Sequence, residues 1–187
     1  VGKITKADGT ETTITLGRYD FDETTGAESA YSGSYVEEDA NAPSTLKNIE
    51  GKSIAKNITN FKNSVTANGG YYIGRYEART TTPRNDKEND LTQITEKGTD
   101  QVYNYVTQRQ AAQQAQGMYT SNNFTSDLMN SYAWDTVTLF FQNCGTNPKY
   151  SRQGRGENIT LLQTGTNTFT EINKIDIQCN VYDMAGN

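Results

Sequence analysis

The chain has 187 residues, enough for one domain or one domain plus an extension, with 33% hydrophobic residues and a formal net charge of −5. Its sequence pI is near 4.8, which argues against a grip on nucleic-acid phosphates or on an anionic membrane surface, and no stretch reaches the roughly 20 apolar residues of a membrane span. There is no histidine, which removes Ser-His-Asp and Cys-His catalysis and any His-ligated metal site.

Mean hydropathy is low, at −0.81, yet 12 Tyr, 6 Phe and 1 Trp can still supply a core. A folded domain wrapped in polar loop is therefore expected. Residues 1–21 read as a β-hairpin with Asp8-Gly9 at the turn, a dipeptide that tolerates positive φ. It has few apolar side chains, so it must lean on another element. Residues 22–52 are acidic, polar and aperiodic, and read as a long loop or linker, with Tyr31 and Tyr35 as anchors to a surface.

A helix is predicted over 53–68, because Ile54, Ile58, Phe61 and Val65 share one face. Ser53 is its expected N-cap, and Asn68-Gly69-Gly70 its left-handed stop. A strand follows over 71–78, with Tyr71, Ile73 and Arg75 on one side and Tyr72, Gly74 and Tyr76 on the other. Residues 79–100 read as a charged loop. A second helix, 107–119, opens with a Thr107/Gln110 capping box, and Ala112, Ala115 and Tyr119 line one side. A third, 131–142, puts Trp134, Val137 and Phe141 on one face. Residues 143–170 read as loop, and alternation through Ile175, Ile177, Cys179 and Val181 predicts a last strand. The mixed order of elements makes the fold class α+β. Cys144 and Cys179 are compatible with one disulfide or with two buried free thiols, and spacing does not choose between them.

Four stretches, in order, resemble the sulfatase-modifying-factor family, which includes the formylglycine-generating enzymes and has a C-type-lectin-like core. "GGYYIGRYEART" is similar to the family's aromatic-rich strand leading into Tyr-Glu-Val. "YNYVTQRQAAQQAQGMY" is similar to its Val-Ser-Trp helix start, with Thr107 at the Ser position and Gln108 where Trp is usual. "DLMNSYAWDTVTLFF" resembles its Leu-Pro-Thr-x-x-Glu-Trp-Glu helix, with Trp134-Asp135 in the Trp-Glu place. "NVYDMAGN" is close to its Tyr-Asp-Met-x-Gly-Asn-Val-Trp-Glu-Trp signature. The resemblance implies a small twisted sheet with about three helices over 51–187, continuing beyond Asn187. Residues 1–50 then form an N-terminal hairpin and acidic linker.

The resemblance also suggests candidate sites. Family members bind calcium through Asn, acidic side chains and carbonyls near the Gly-Asn segment, which makes Asp183 and Asn187 candidate calcium ligands. No other cofactor is expected. The family's catalytic cysteine pair lies in its C-terminal part and does not match Cys144 and Cys179, so the chain is not expected to be an enzyme. From the residues themselves, Arg152 and Arg155, in the Gly-rich "SRQGRGEN", are candidate ligand-binding cations. Trp134 is expected in the core, and Asp135 and Glu77 as acceptors or ion-pair partners of Arg75 or Arg79.

The expected function is a non-catalytic binding or display domain, extracellular or on a bacterial cell surface. Its partner would be a protein or glycan held by loops 79–100 and 143–170. One alternative is a structural subunit of a surface filament or phage-like appendage, completed by a neighbouring chain or a C-terminal fragment. Residues 1–21 would then serve as donor hairpin. A second alternative is a fragment of a formylglycine-generating-type oxidase.

Overall fold

A computed structural model of the chain describes residues 2–6, 8–22, 24–33, 48–49, 52–53, 58–82, 94–95, 100–119, 121, 123–145, 177–182 and 184. Among these are three helices and five two-stranded antiparallel sheets, a mixed α+β structure.

The N-terminal hairpin forms about the predicted Asp8-Gly9 turn but ends at Ile14, short of the expected residue 21. β1 (Gly2–Thr5) pairs with β2 (Glu11–Ile14) from Gly2↔Ile14 to Thr5↔Glu11. Gly9 takes φ +83°, which glycine adopts without strain. The Asp8 carboxylate accepts from the Thr10 amide at 2.9 Å and the Thr10 hydroxyl at 2.6 Å. These hydrogen bonds hold the Asp8 carboxyl below the usual carboxylate range.

The expected loop over 22–52 begins instead as a second hairpin. β3 (Tyr19–Phe21) pairs with β4 (Glu28–Ala30). The Asp22 carboxylate organises the turn by accepting from Thr24 N, Thr25 N and the Thr25 hydroxyl at 2.6–2.9 Å. Gly26, at φ +74°, completes it. Side-chain turn chemistry makes this hairpin, and hydrophobic alternation does not mark it. Tyr31 does anchor the segment, lying 4.2 Å beneath the Arg18 guanidinium; Tyr35 lies outside the described residues.

Further on, β5 (Asn48–Ile49) pairs with β6 (Lys52–Ser53). Ser53 is therefore a strand residue and not the cap of the next helix. That helix, α1 (Ile58–Asn68), starts later than expected and buries Ile58 and Val65; Ile54 is outside the described residues. Gly69, at φ +75°, ends it in the left-handed conformation the sequence predicts.

Residues 71–78 do not form the predicted strand. Their side-chain alternation survives: Tyr71 and Ile73 pack on the core, while Tyr72 is 91% exposed. Alternation orients side chains but does not provide a neighbouring backbone for a ladder. Pairing starts only at β7 (Arg79–Thr80), which joins β8 (Gln101–Val102). α2 (Gln108–Met118) opens with the expected capping box on Thr107 and Gln110. Ala112 and Ala115 are buried, and Tyr119 is half exposed.

α3 (Ser131–Cys144) is the centre of the fold. Its N-cap, Asn130, accepts from Ala133 N, and Gly145 N–H donates back to Phe141 O at its end. Eight of its residues are buried, from Ala133 to Gln142, so two of its faces must be covered. Val137 and Phe141 form a cluster with Met184, flanked by Tyr71, Ile73, Trp134, Phe140 and Val181. Trp134 thus packs where the sequence predicts. Tyr71 is held by its hydroxyl, which donates to Ala133 O at 2.8 Å, and by edge-on contact with Phe61.

The opposite face of α3 carries polar groups that hold the N-terminal hairpins. Asp135 lies two residues from Val137, about 200° around the helix, while Gln142 is seven on and shares its side. Asp135 Oδ2 accepts from Arg18 Nε at 2.6 Å and Tyr19 N at 3.0 Å. Thr136 Oγ1 accepts from Gly17 N at 3.1 Å. Gln142 Nε2 donates to Gly26 O at 2.7 Å. The first hairpin thus pairs with itself, and the chain after it leans on α3 of the same molecule.

The final predicted strand is a hairpin. β9 (Ile177–Gln178) pairs with β10 (Val181–Tyr182). Between them Cys179 and Asn180 take φ +52° and +65°, as a two-residue type I′ turn requires. Asn favours that conformation, but nothing in the alternation of Ile175 to Val181 reveals it.

Candidate binding surface

Asp183, Asn187, Arg152 and Arg155 lie outside the described residues. Cys144 is half-buried and Cys179 exposed, and both thiols are free. Asp135 is an ion-pair partner, but of Arg18 and not of Arg75 or Arg79. Arg79 is buried, with Nη1 donating to Asp100 O at 2.8 Å, and its guanidinium lies 5.8 Å from the Tyr76 ring centroid. Among the described residues no three Cys, Asp or Glu side chains gather as a metal cluster, and no helix is long and apolar enough to cross a membrane.

The described surface does bring together two aromatic rings. Tyr72 is 91% and Phe124 59% exposed. Their centroids are 6.4 Å apart at an interplanar angle of 67°, an edge-on pair. Both rings stand on fixed backbone. Tyr72 is locked between Tyr71 and Ile73, whose side chains are committed to the core. Because side chains alternate along extended chain, Tyr72 is forced outward.

Phe124 rides on a loop tied to α2. Ser121 Oγ accepts from Asn123 N and Phe124 N at 3.3 and 3.1 Å. Ser126 Oγ donates to Ala115 O at 2.5 Å and accepts from Tyr119 N at 3.1 Å. The Asp127 carboxylate takes Gln116 Nε2 at 3.2 Å. The result is an apolar pair with polar neighbours at Ser121 and Asn123, on backbone held by these hydrogen bonds.

The sequence places Tyr72 only on one side of an alternating segment, with Gly74 and Tyr76, and it gives no role to Phe124. Its signal is present but faint. Phe124 sits in the polar run "TSNNFTSD", with no apolar residue two positions away on either side to share a strand face.

A concavity of about 420 Å³ opens between the chain after β2 and α1. Leu16 and Val65 line it, with Lys62 and Tyr132 at one side. The Lys62 ammonium stands 4.0 Å over the Tyr132 ring, so that cation is already engaged. No family model, no curated protein and no solved structure matches this chain.

Proposed function

We propose that the chain is a non-catalytic binding domain, extracellular or cell-surface in a bacterium, and that it binds glycan. Its scaffold is proposed to be C-type-lectin-like, on the strength of the four motifs resembling the sulfatase-modifying-factor family. The observation that carries the binding reading is the exposed Tyr72–Phe124 pair on anchored backbone. Two large rings left in water are costly unless they serve contact. An aromatic face is flat, apolar and electron-rich, which suits the C–H face of a pyranose. Hydroxyl and amide groups at Ser121 and Asn123 would meet the sugar hydroxyls.

Electrophoresis of the chain in native gels containing xylan, mannan or mixed-linkage β-glucan tests this. Retardation by at least one polysaccharide is expected. Tyr72→Ala and Phe124→Ala should each weaken it about tenfold, the worth of roughly 1–1.5 kcal/mol per aromatic contact. Far-UV circular dichroism should stay unchanged, because both rings are exposed. Unretarded migration in all three gels, or retardation that survives the double substitution, would count against the reading.

A further inference from the structure

Two free thiols flank the contact by which the last described hairpin packs on α3. Val137, Phe141 and Cys144 are spaced i, i+4, i+7 and so lie along one stripe of that helix. Met184 and Val181 pack on the Val137–Phe141 part of the stripe. The β9–β10 hairpin is therefore fastened to the same stripe that Cys144 continues. From that contact, Cys144 is one helical turn away, about 4.5 Å along the axis. Cys179 is two residues from Val181, about 7 Å of chain. Partial burial of its sulfur pushes the Cys179 thiol up, and Cys144 pushes it further. Burial also pushes the Cys144 thiol up.

We propose that Cys144 and Cys179 form a redox clasp, a reversible disulfide tying the β9–β10 turn to the C-terminal end of α3. A low-molecular-weight disulfide such as oxidised glutathione is the oxidant. The exposed Cys179 thiolate attacks one of its sulfurs, the glutathione S–S bond breaks, and one glutathione thiolate leaves. The Cys144 thiolate then attacks the Cys179 sulfur of the mixed disulfide and releases the second. Two cysteine thiols are oxidised, one glutathione disulfide is reduced to two thiols, and the two protons pass to the departing thiolates. Because the thiolate is the nucleophile and both thiols are raised above their ordinary value, the step accelerates as pH rises and goes on accelerating past that ordinary value. The clasp would hold the hairpin down without touching the Tyr72–Phe124 surface, and it does not depend on the glycan reading.

The full chain is incubated with oxidised glutathione, quenched with iodoacetamide, and studied by intact mass, by peptide mapping without reductant and by thermal melting. The expected product is a monomer lacking two hydrogens, with a Cys144–Cys179 linked peptide. It should melt about 5–15 °C above the dithiothreitol-treated chain. Cys144→Ser and Cys179→Ser should each give only a glutathione adduct, and neither should gain the redox-dependent rise. Stable adducts at both cysteines of the unsubstituted chain, disulfide-linked dimers, or a linked chain that melts no higher than the reduced one would each overturn the proposal.

Discussion

Asp135→Ala should loosen the N-terminal hairpins from α3 and destabilise the whole chain. One carboxylate oxygen serves two donors, Arg18 Nε at 2.6 Å and Tyr19 N at 3.0 Å. The two side chains of the ion pair are only 16% and 9% exposed. Removing the acceptor leaves a guanidinium and an amide with little access to water. Breaking a buried pair from one side costs about 3–5 kcal/mol. Partial exposure of Arg18, and its stacking on Tyr31 at 4.2 Å, put the expected loss at the lower end, about 3 kcal/mol. For a chain of this length that is a fall in Tm of roughly 6–12 °C. Urea denaturation gives the global figure. Hydrogen exchange gives the local one, with the amide of Tyr19 and the paired amides of β3 losing protection more than those of α3. The double variant Arg18→Met/Asp135→Ala should recover part of the loss, because it removes the stranded charge. A cost below about 0.5 kcal/mol, with unchanged exchange at Tyr19, would refute the idea that this ion pair holds the hairpins.

Two other outcomes follow from the same contacts. Gln142→Leu should cost about 1–3 kcal/mol, because it strands the buried Gly26 carbonyl that Gln142 Nε2 reaches at 2.7 Å; melting of the purified variant checks this. Burial pushes the Tyr71 hydroxyl far above its ordinary value of 10. A folded-state pKa raised in this way gives stability that is fully present below the unfolded value, near 10, and lost as pH rises through the folded one. Absorbance at 295 nm should therefore show Tyr71 ionising only with alkaline unfolding, and Tyr71→Phe should remove that late step.

Some local structure was legible from causes that were themselves local. The Thr107/Gln110 capping box, the left-handed Gly69 and the Asp8-Gly9 turn each need only residues a few positions apart, and all three formed as read. The apolar face of α3 was legible for the same reason, since Trp134, Val137 and Phe141 follow the helical period. The polar face was not. Asp135, Thr136 and Gln142 look like ordinary polar helix residues until Arg18, Gly17 and Gly26 arrive from more than 100 positions away.

The same division separates what the amino-acid sequence determined alone from what required the fold. The sequence was enough for acidity, the absence of histidine, the helical periods and the turns at Gly9 and Gly69, because these depend on composition and short-range geometry. Tertiary structure decided that residues 71–78 alternate without joining a ladder, because a strand exists only where a second backbone supplies hydrogen bonds. It also decided that Phe124, unremarked among polar neighbours, stands beside Tyr72 on the surface. Contacts between positions about 50 residues apart are set by how the core closes, and the core's closure on Tyr71 and Ile73 turns Tyr72 outward.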